Sequence, residues 1–87
     1  MSTRAFRVRI DVRLDANVND PAGNAVRSGL LSLGHEDVRD VRIGKIVELT
    51  LDAADAPEAR TRADQMCHEL LANPVIESFE IDISEEA

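Results

Sequence analysis

Residues 6–14 alternate between apolar and polar side chains without a break. The apolar positions are Phe6, Val8, Ile10, Val12 and Leu14. Successive side chains of a β-strand point to opposite faces of a sheet, so this period of two predicts a strand with one buried and one solvated face. A fold built on it must cover one face of a sheet.

A helix is predicted from Pro21 to Leu33. Asp20 can cap its first turn, Pro21 suits the first helical position, and Gly34 is a typical residue after a helix end. One side of this helix carries Ala22, Ala25, Val26, Leu30 and Leu33, with Gly29 close to them. We expect this side to pack on the sheet. A glycine inside a helix costs about 1 kcal/mol relative to alanine, and close backbone packing would explain it.

Two further strands are predicted on either side of a tight turn, Val38–Ile43 and Ile46–Leu51. Gly44 and Lys45 form the predicted turn, because glycine tolerates positive φ. Arg42 and Lys45 place cations around Gly44 in an acidic protein. They are either a charged tip that protects an edge hairpin or a contact for a partner protein.

A second helix and a last strand complete the chain. Asp55 and Glu58 are spaced as in a capping box, and the helix runs to about Ala72. Its apolar stripe comprises Ala59, Ala63, Met66, Cys67, Leu70 and Leu71. Val75–Ile83 is the last strand, with Phe79, Ile81 and Ile83 facing inward.

The order strand, helix, strand, strand, helix, strand predicts an α+β fold. Two right-handed crossovers give a ferredoxin-like βαββαβ sandwich, with a four-stranded antiparallel sheet and both helices on one face. We expect residues 1–87 to form a single domain, with residues 1–4 and 84–87 frayed. The open face would carry Arg7, Arg9, Asp11 and Arg13 between acidic neighbours. That face is a self-paired polar surface, a protein contact or an anion-binding row.

Charge and composition exclude several function classes. The net charge is −7, and Phe6 and Phe79 are the only aromatic residues. Such a surface repels phosphate backbones and anionic membranes, and it lacks stacking platforms for nucleic acid. We therefore expect no nucleic-acid or membrane partner, no metal or other cofactor, and a cytoplasmic location. Because 87 residues form a small core, we expect association into a homodimer or a higher homo-oligomer.

No catalytic set is expected. Cys67 and His68 are neighbours, but a helix directs them about 100° apart, so Cys67 belongs to the core and His68 to the solvated side. His35 follows a helix end, where an imidazole can bond free carbonyls. Asp20, Pro21 and Gly23 open the first helix, either as a cap with a flexible first turn or as a site for an anion or small ligand.

Three stretches resemble the PurS family, the small subunit of bacterial phosphoribosylformylglycinamidine (FGAM) synthase. They are residues 18–23 with Ala25 and Val26, residues 40–51, and Met66 and Cys67 with residues 70–77. Ala22 departs from the family, which often has Gln there, and Ile46 stands where an aromatic residue is frequent. Together the three stretches cover most of the chain.

The resemblance implies a non-catalytic role in an ATP-dependent carbon–nitrogen ligase that uses glutamine as amide donor. PurS joins a PurL-type synthetase and a PurQ-type glutaminase, helps assemble them and supports passage of ammonia between them. The expected partner-binding residues are Asp20, Pro21, Gly23, Arg42, Gly44 and Lys45. The alternative is an ACT-type module that binds a small molecule at the Asp20–Gly23 turn. An acylphosphatase-like enzyme is less suitable, because the loop Asp15–Asn19 carries no cation.

Overall fold

The computed structural model describes residues 3–86 and has an α+β fold. In chain order the elements are β1 (Arg4–Leu14), α1 (Pro21–Ser32), β2 (Lys45–Ala53), α2 (Ala56–Met66) and β3 (Glu77–Glu85). A π-helical segment, Cys67–Leu71, continues α2 directly. Within residues 3–86, no helix has the length and apolar content needed to cross a membrane.

The three strands form one antiparallel sheet with β1 in the centre, in the order β2-β1-β3. Ile10 of β1 lies between Val47 of β2 and Ile81 of β3. Four inward residues of β1 are 0–2% exposed, namely Phe6, Val8, Ile10 and Val12, and Leu14 at its end is half-buried. The residues between them are exposed or half-buried. The alternation of residues 6–14 therefore predicted both the strand and its buried face correctly.

Helix α2 covers the buried face of this sheet. Its Ala59 and Ala63, together with Cys67, are fully buried against β1 residues such as Val8. The start of α2 confirms the predicted capping residues: Asp55 accepts a bond from the Glu58 N–H at 2.9 Å. The Glu58 carboxylate accepts one from the Ala54 N–H at 2.7 Å. The first bond satisfies an N–H group that the first turn of α2 leaves without a helical partner, and the second holds the residue before the cap.

The predicted second strand and its hairpin are wrong. In residues 3–86 the sheet has three strands, and Val38–Gly44 is irregular. Backbone groups of this segment bond to side chains and not to a neighbouring strand: the Ile43 N–H donates to Asp20, and the Arg39 carbonyl accepts from Arg27. Gly44 does not have a positive φ; within the described part of the chain that conformation belongs to Gly34, with φ 102°.

Helix α1 does not pack on the sheet, contrary to expectation. None of the extensive contacts between elements in the described residues involves α1, and its predicted inward residues Val26 and Leu33 are 43% and 77% exposed. We call residues 15–44 the arm, because they extend the molecule to 58 × 29 × 15 Å. The radius of gyration is 17.0 Å, against about 12 Å for a compact domain of this length. Residues 15–20 bond to residues 42 and 43, so the two ends of the arm are joined where it leaves the sheet.

The described residues near both ends of the chain pair with neighbouring strands. Arg4 pairs with Ala53, and Phe6 pairs with Glu85. The Arg4 guanidinium lies 3.2 Å from the Glu85 carboxylate, and the Glu86 N–H donates to the Ala5 carbonyl at 2.9 Å. Fraying of residues 1–4 and 84–87 stays a prediction, and residues 1, 2 and 87 lie outside the described range.

Candidate partner-binding site

The structure brings the six predicted partner-binding residues to one place, where the arm leaves the sheet. We call this region the arm root: residues 15–23 meet residues 41–45 there. One cleft at the arm root is lined by Val12, Leu14, Asp20, Pro21, Ala22, Ile43, Gly44, Lys45 and Glu77. The six residues are thus neighbours in space, although they are not the tip of a hairpin.

Asp20 is the centre of the arm root and is 4% exposed. Its Oδ1 accepts a hydrogen bond from the Gly23 N–H at 2.9 Å, which caps α1. Its Oδ2 accepts a second bond from the Ile43 N–H at 2.8 Å. These backbone donors hold the pKa of Asp20 below its usual range, and the charge of Arg42 adds to the effect. The ionised carboxylate of Asp20 therefore links the start of α1 to Ile43, near the end of the arm.

Gly23 and Gly44 permit close backbone contacts at the same place. A Cβ on Gly23 would overlap the Val41 carbonyl oxygen and crowd the Asp20 carboxylate. A Cβ on Gly44 would lie 2.7 Å from the Val12 carbonyl oxygen. Both glycines are required by close approach of the chain to itself, so neither needs a ligand to explain it.

Arg42 is also committed to the arm root. Its guanidinium donates to the Val18 carbonyl at 2.9 Å and to the Asp15 carbonyl at 2.8 Å. The Asp15 N–H in turn donates to the Ile76 carbonyl at 2.8 Å, next to β3. Sequence reasoning assigned Arg42 to a partner contact and missed this internal role, because Asp15 precedes it by 27 positions.

Lys45 is a second cation of the arm root. It is exposed and begins β2 opposite Val12, and it lines the rim of the cleft. Arg13, which sequence reasoning placed only on the open face, lines an adjacent cleft with Leu14, Ala16, Arg42, Ile43 and Gly44. The two side chains place cations on the outer surface of the arm root, where Glu77 also lines the cleft.

The candidate chemical groups elsewhere are structural. Cys67 is fully buried, and burial, followed by the charge of Asp64, raises the pKa of its thiol. His68 is exposed, with Nδ1 2.9 Å from the Asp64 carbonyl oxygen and its ring edge-on to Phe79 at 5.4 Å. At His35 the backbone N–H donates to the Leu30 carbonyl at 3.0 Å, as in a helix C-terminal motif. Residues 3–86 contain no group of three or more His, Cys, Asp or Glu side chains placed to hold a metal.

The open face of the sheet shows the predicted mixture of charges. Arg9 lies opposite Glu48 on one side and Asp82 on the other, and its Nε is 3.9 Å from Asp11. Arg7 is 3.7 Å from Glu86. These side chains are largely exposed, so such pairs contribute little to the free energy of unfolding.

These observations define a small α+β protein in which the polar residues of the candidate site mainly form hydrogen bonds within the same chain. A family model described as PurS, phosphoribosylformylglycinamidine (FGAM) synthase, matches residues 7–85. The chain is 49% identical over 82 residues to the PurS subunit of Synechocystis sp., covering 94% of this chain and 82% of that protein. The chain therefore belongs to the PurS family.

Solved structures agree with this assignment. Bacillus subtilis PurS in its C2 crystal form matches with a TM-score of 0.84 and 40% identity, covering 92% of this chain and 99% of that chain. A chain in the structure of PurLQS from Thermotoga maritima matches with a TM-score of 0.82 and 32% identity, covering 92% and 98% respectively. These relatives are PurS proteins, so the alternative of an ACT-type regulatory module is not supported.

Proposed function

We propose that this chain is the non-catalytic subunit of a glutamine-dependent FGAM synthase in the cytoplasmic synthesis of purines. It joins a PurL-type synthetase to a PurQ-type glutaminase and supports transfer of ammonia between them. The complex converts formylglycinamide ribonucleotide, ATP and glutamine to formylglycinamidine ribonucleotide, ADP, phosphate and glutamate. The observation that carries this proposal is the match of nearly the whole chain to a PurS chain solved as part of PurLQS.

The surface of the protein is consistent with a subunit that works by contact. Large apolar side chains are exposed in three regions: Val26 and Leu33 on α1 and just after it, Ile43 and Ile46 around the start of β2, and Leu70, Val75 and Ile76 before β3. Exposed apolar patches of this kind mark protein interaction sites. The buried thiol of Cys67 and the exposed imidazole of His68 are not positioned as a nucleophile and its base.

We infer that a partner subunit contacts the outer surface of the arm root at Lys45 and Arg13. The protein carries a net charge of −7, and these two exposed cations lie at adjacent clefts, one of which Glu77 also lines. An acidic surface on a partner would be steered to it and would gain charge-assisted hydrogen bonds. The backbone beneath this surface is fixed by the internal contacts of Asp20, Gly23, Arg42 and Gly44.

The experiment compares Lys45→Ala with wild type in the reconstituted three-subunit enzyme. Lys45→Arg retains the charge and is the conservative control, and Arg9→Ala removes a cation from the open face instead. Complex formation is measured by size exclusion, and product formation is measured separately with glutamine and with added ammonium. We expect Lys45→Ala to lower glutamine-dependent synthesis and leave synthesis from ammonium unchanged.

The outcomes separate the general function from the position of the contact. A wild-type chain that forms no complex and does not support glutamine-dependent synthesis would overturn the proposed function. A Lys45→Ala variant that assembles and works like wild type would overturn only the arm-root contact. Equal losses in Lys45→Ala and Arg9→Ala would show a general charge effect and would also remove that contact.

A further inference from the structure

Two arginines line one cleft of the arm root without a carboxylate to neutralise them. The cleft has a volume of about 430 Å³ and is lined by Arg13, Leu14, Ala16, Arg42, Ile43 and Gly44. In the described part of the chain, the arginines that form ion pairs are Arg4, Arg7 and Arg9. The cleft therefore presents two positive charges and, among its lining residues, no negative one.

The position of Arg13 in the sheet explains why its charge is not neutralised. Arg9, on the same face of β1, lies between Glu48 of β2 and Asp82 of β3. Arg13 lies opposite the neutral Ser78 of β3, and on its other side it lies beyond the paired part of β2. Carboxylates on neighbouring strands thus compensate Arg9 and leave Arg13 without a partner.

The stem of Arg13 lies close to Gly44. A Cβ on Gly44 would be 3.3 Å from the Arg13 Cγ, so the glycine makes room for the arginine at the edge of the cleft. Arg13 also borders a second cleft together with Asp11 and Glu80. The Asp11 carboxylate is 3.9 Å from the Arg9 Nε, and within residues 3–86 neither acid forms an ion pair with Arg13. The Arg13 guanidinium is therefore available to an acceptor from outside the chain.

Arg42 supplies donors in a fixed orientation. Its guanidinium bonds to the carbonyls of Val18 and Asp15, and a guanidinium has more N–H groups than these two bonds use. Because the side chain is already ordered, it loses little rotamer freedom when it binds a further acceptor. The acids nearest to it are engaged: Asp20 accepts two backbone N–H groups, and Glu77 accepts one at 2.7 Å.

We propose that this cleft binds a carboxylate side chain of a partner subunit between the guanidinium groups of Arg13 and Arg42, with Lys45 close by. The proposal rests on the proposed function and names the chemistry of its contact. Planar guanidinium groups match a carboxylate with paired hydrogen bonds. A small anion in solution is repelled by the net charge of −7, whereas a carboxylate on a docked subunit is held at high effective concentration by the other contacts.

The sequence offers a direct test, because Lys45 is the only lysine of the chain. A carbodiimide joins an amine to a carboxylate that touches it and adds no spacer. The assembled three-subunit enzyme is treated with the carbodiimide and digested, and peptides that contain Lys45 are analysed by mass spectrometry. We expect an amide between Lys45 and an Asp or Glu of the PurL-type or PurQ-type subunit. Lys45→Arg keeps the charge and should assemble without this cross-link.

Matched variants move the amine into the cleft or away from it. In the Lys45→Arg background, Arg13→Lys places the sole lysine in the cleft, and Arg9→Lys places it on the open face. We expect the first to cross-link to the same partner carboxylate and the second to give no cross-link to a partner. Arg13→Gln should weaken assembly roughly tenfold or more, whereas Arg9→Gln should not. Circular dichroism verifies that each variant keeps the fold.

Each result has a defined meaning. An active wild-type complex without a cross-link at Lys45, together with wild-type affinity in Arg13→Gln, overturns the carboxylate site and leaves the proposed function standing. A cross-link from Lys45 to a second copy of this chain, or equal cross-linking from positions 9 and 13, also overturns the site. A wild-type chain that assembles with neither subunit overturns the proposed function, and this contact with it.

Discussion

The carboxylate of Asp20 accepts a 2.8 Å hydrogen bond from the backbone N–H of Ile43, a residue 23 positions further along the chain. The same carboxylate caps α1 through the Gly23 N–H. One side chain thus fixes where the arm begins and where it returns. Removing the charge of Asp20 should therefore weaken both bonds and alter the orientation of the arm.

The first prediction concerns Asp20→Asn, which keeps the shape of the side chain and removes its charge. The pKa of Asp20 in the folded protein lies below its ordinary value of 3.8. The stabilisation from the carboxylate is therefore fully present above that ordinary value and is lost as the pH falls through the lower, folded-state pKa. We expect Asp20→Asn to have a smaller free energy of unfolding than wild type at neutral pH, and the difference to narrow in strong acid.

Urea unfolding at a fixed protein concentration, repeated from neutral to strongly acidic pH, measures this difference. Asp55→Asn, which changes the cap of α2 instead, is the matched comparison. A difference between wild type and Asp20→Asn that is independent of pH would contradict the role assigned to the charge.

The second prediction concerns Gly23→Ala. The added methyl group meets the Val41 carbonyl and the Asp20 carboxylate, so the variant should lose about 1–3 kcal/mol of stability, as in other overpacked sites. Ser28→Ala in the same helix should be neutral or slightly stabilising. Thermal unfolding of both variants checks the contrast, and equal stability of Gly23→Ala and wild type would be inconsistent with the described contact.

The third prediction concerns Arg42. Arg42→Lys preserves the positive charge but cannot span the carbonyls of Val18 and Asp15 with one planar group. We expect Arg42→Lys to increase amide hydrogen exchange in residues 15–20 and 41–44, while exchange in β1 and α2 stays at the wild-type level. Lys45→Arg is the control; unchanged exchange in Arg42→Lys would mean that charge alone holds the arm root.

The fourth prediction concerns Cys67→Ala. Removing the buried sulfur leaves a small cavity, and the free energy of unfolding should fall by about 1–2 kcal/mol. The variant should still associate and support glutamine-dependent synthesis, because the thiol contacts no reacting group. A thiol reagent should modify native Cys67 slowly, since burial raises the pKa of the thiol and restricts access. Loss of synthesis in a folded and assembled Cys67→Ala variant would require a role beyond packing.

Local signals in the sequence predicted the elements that local interactions determine. The alternation around Ile10 gave β1, and the spacing of Asp55 and Glu58 gave the start of α2. The segment Val38–Ile43 has the composition of a strand, but its polar groups bond to Asp20 and Arg27, residues too distant for any periodicity to include. For the same reason the sequence indicated a surface cation at Arg42, whereas its guanidinium donates hydrogen bonds to the carbonyls of Val18 and Asp15.

The central position of β1 also has a consequence for the order in which the molecule forms. Among the three described strands β1 is synthesised before both of its neighbours, β2 and β3, and β3 spans Glu77–Glu85. During translation β1 therefore has only β2 as a possible strand partner until β3 has been made. Pairing between distant ends is slow to form and leaves apolar surface exposed meanwhile. Loss of the final residues of β3 should accordingly impair folding yield more than their small contribution to the buried core implies.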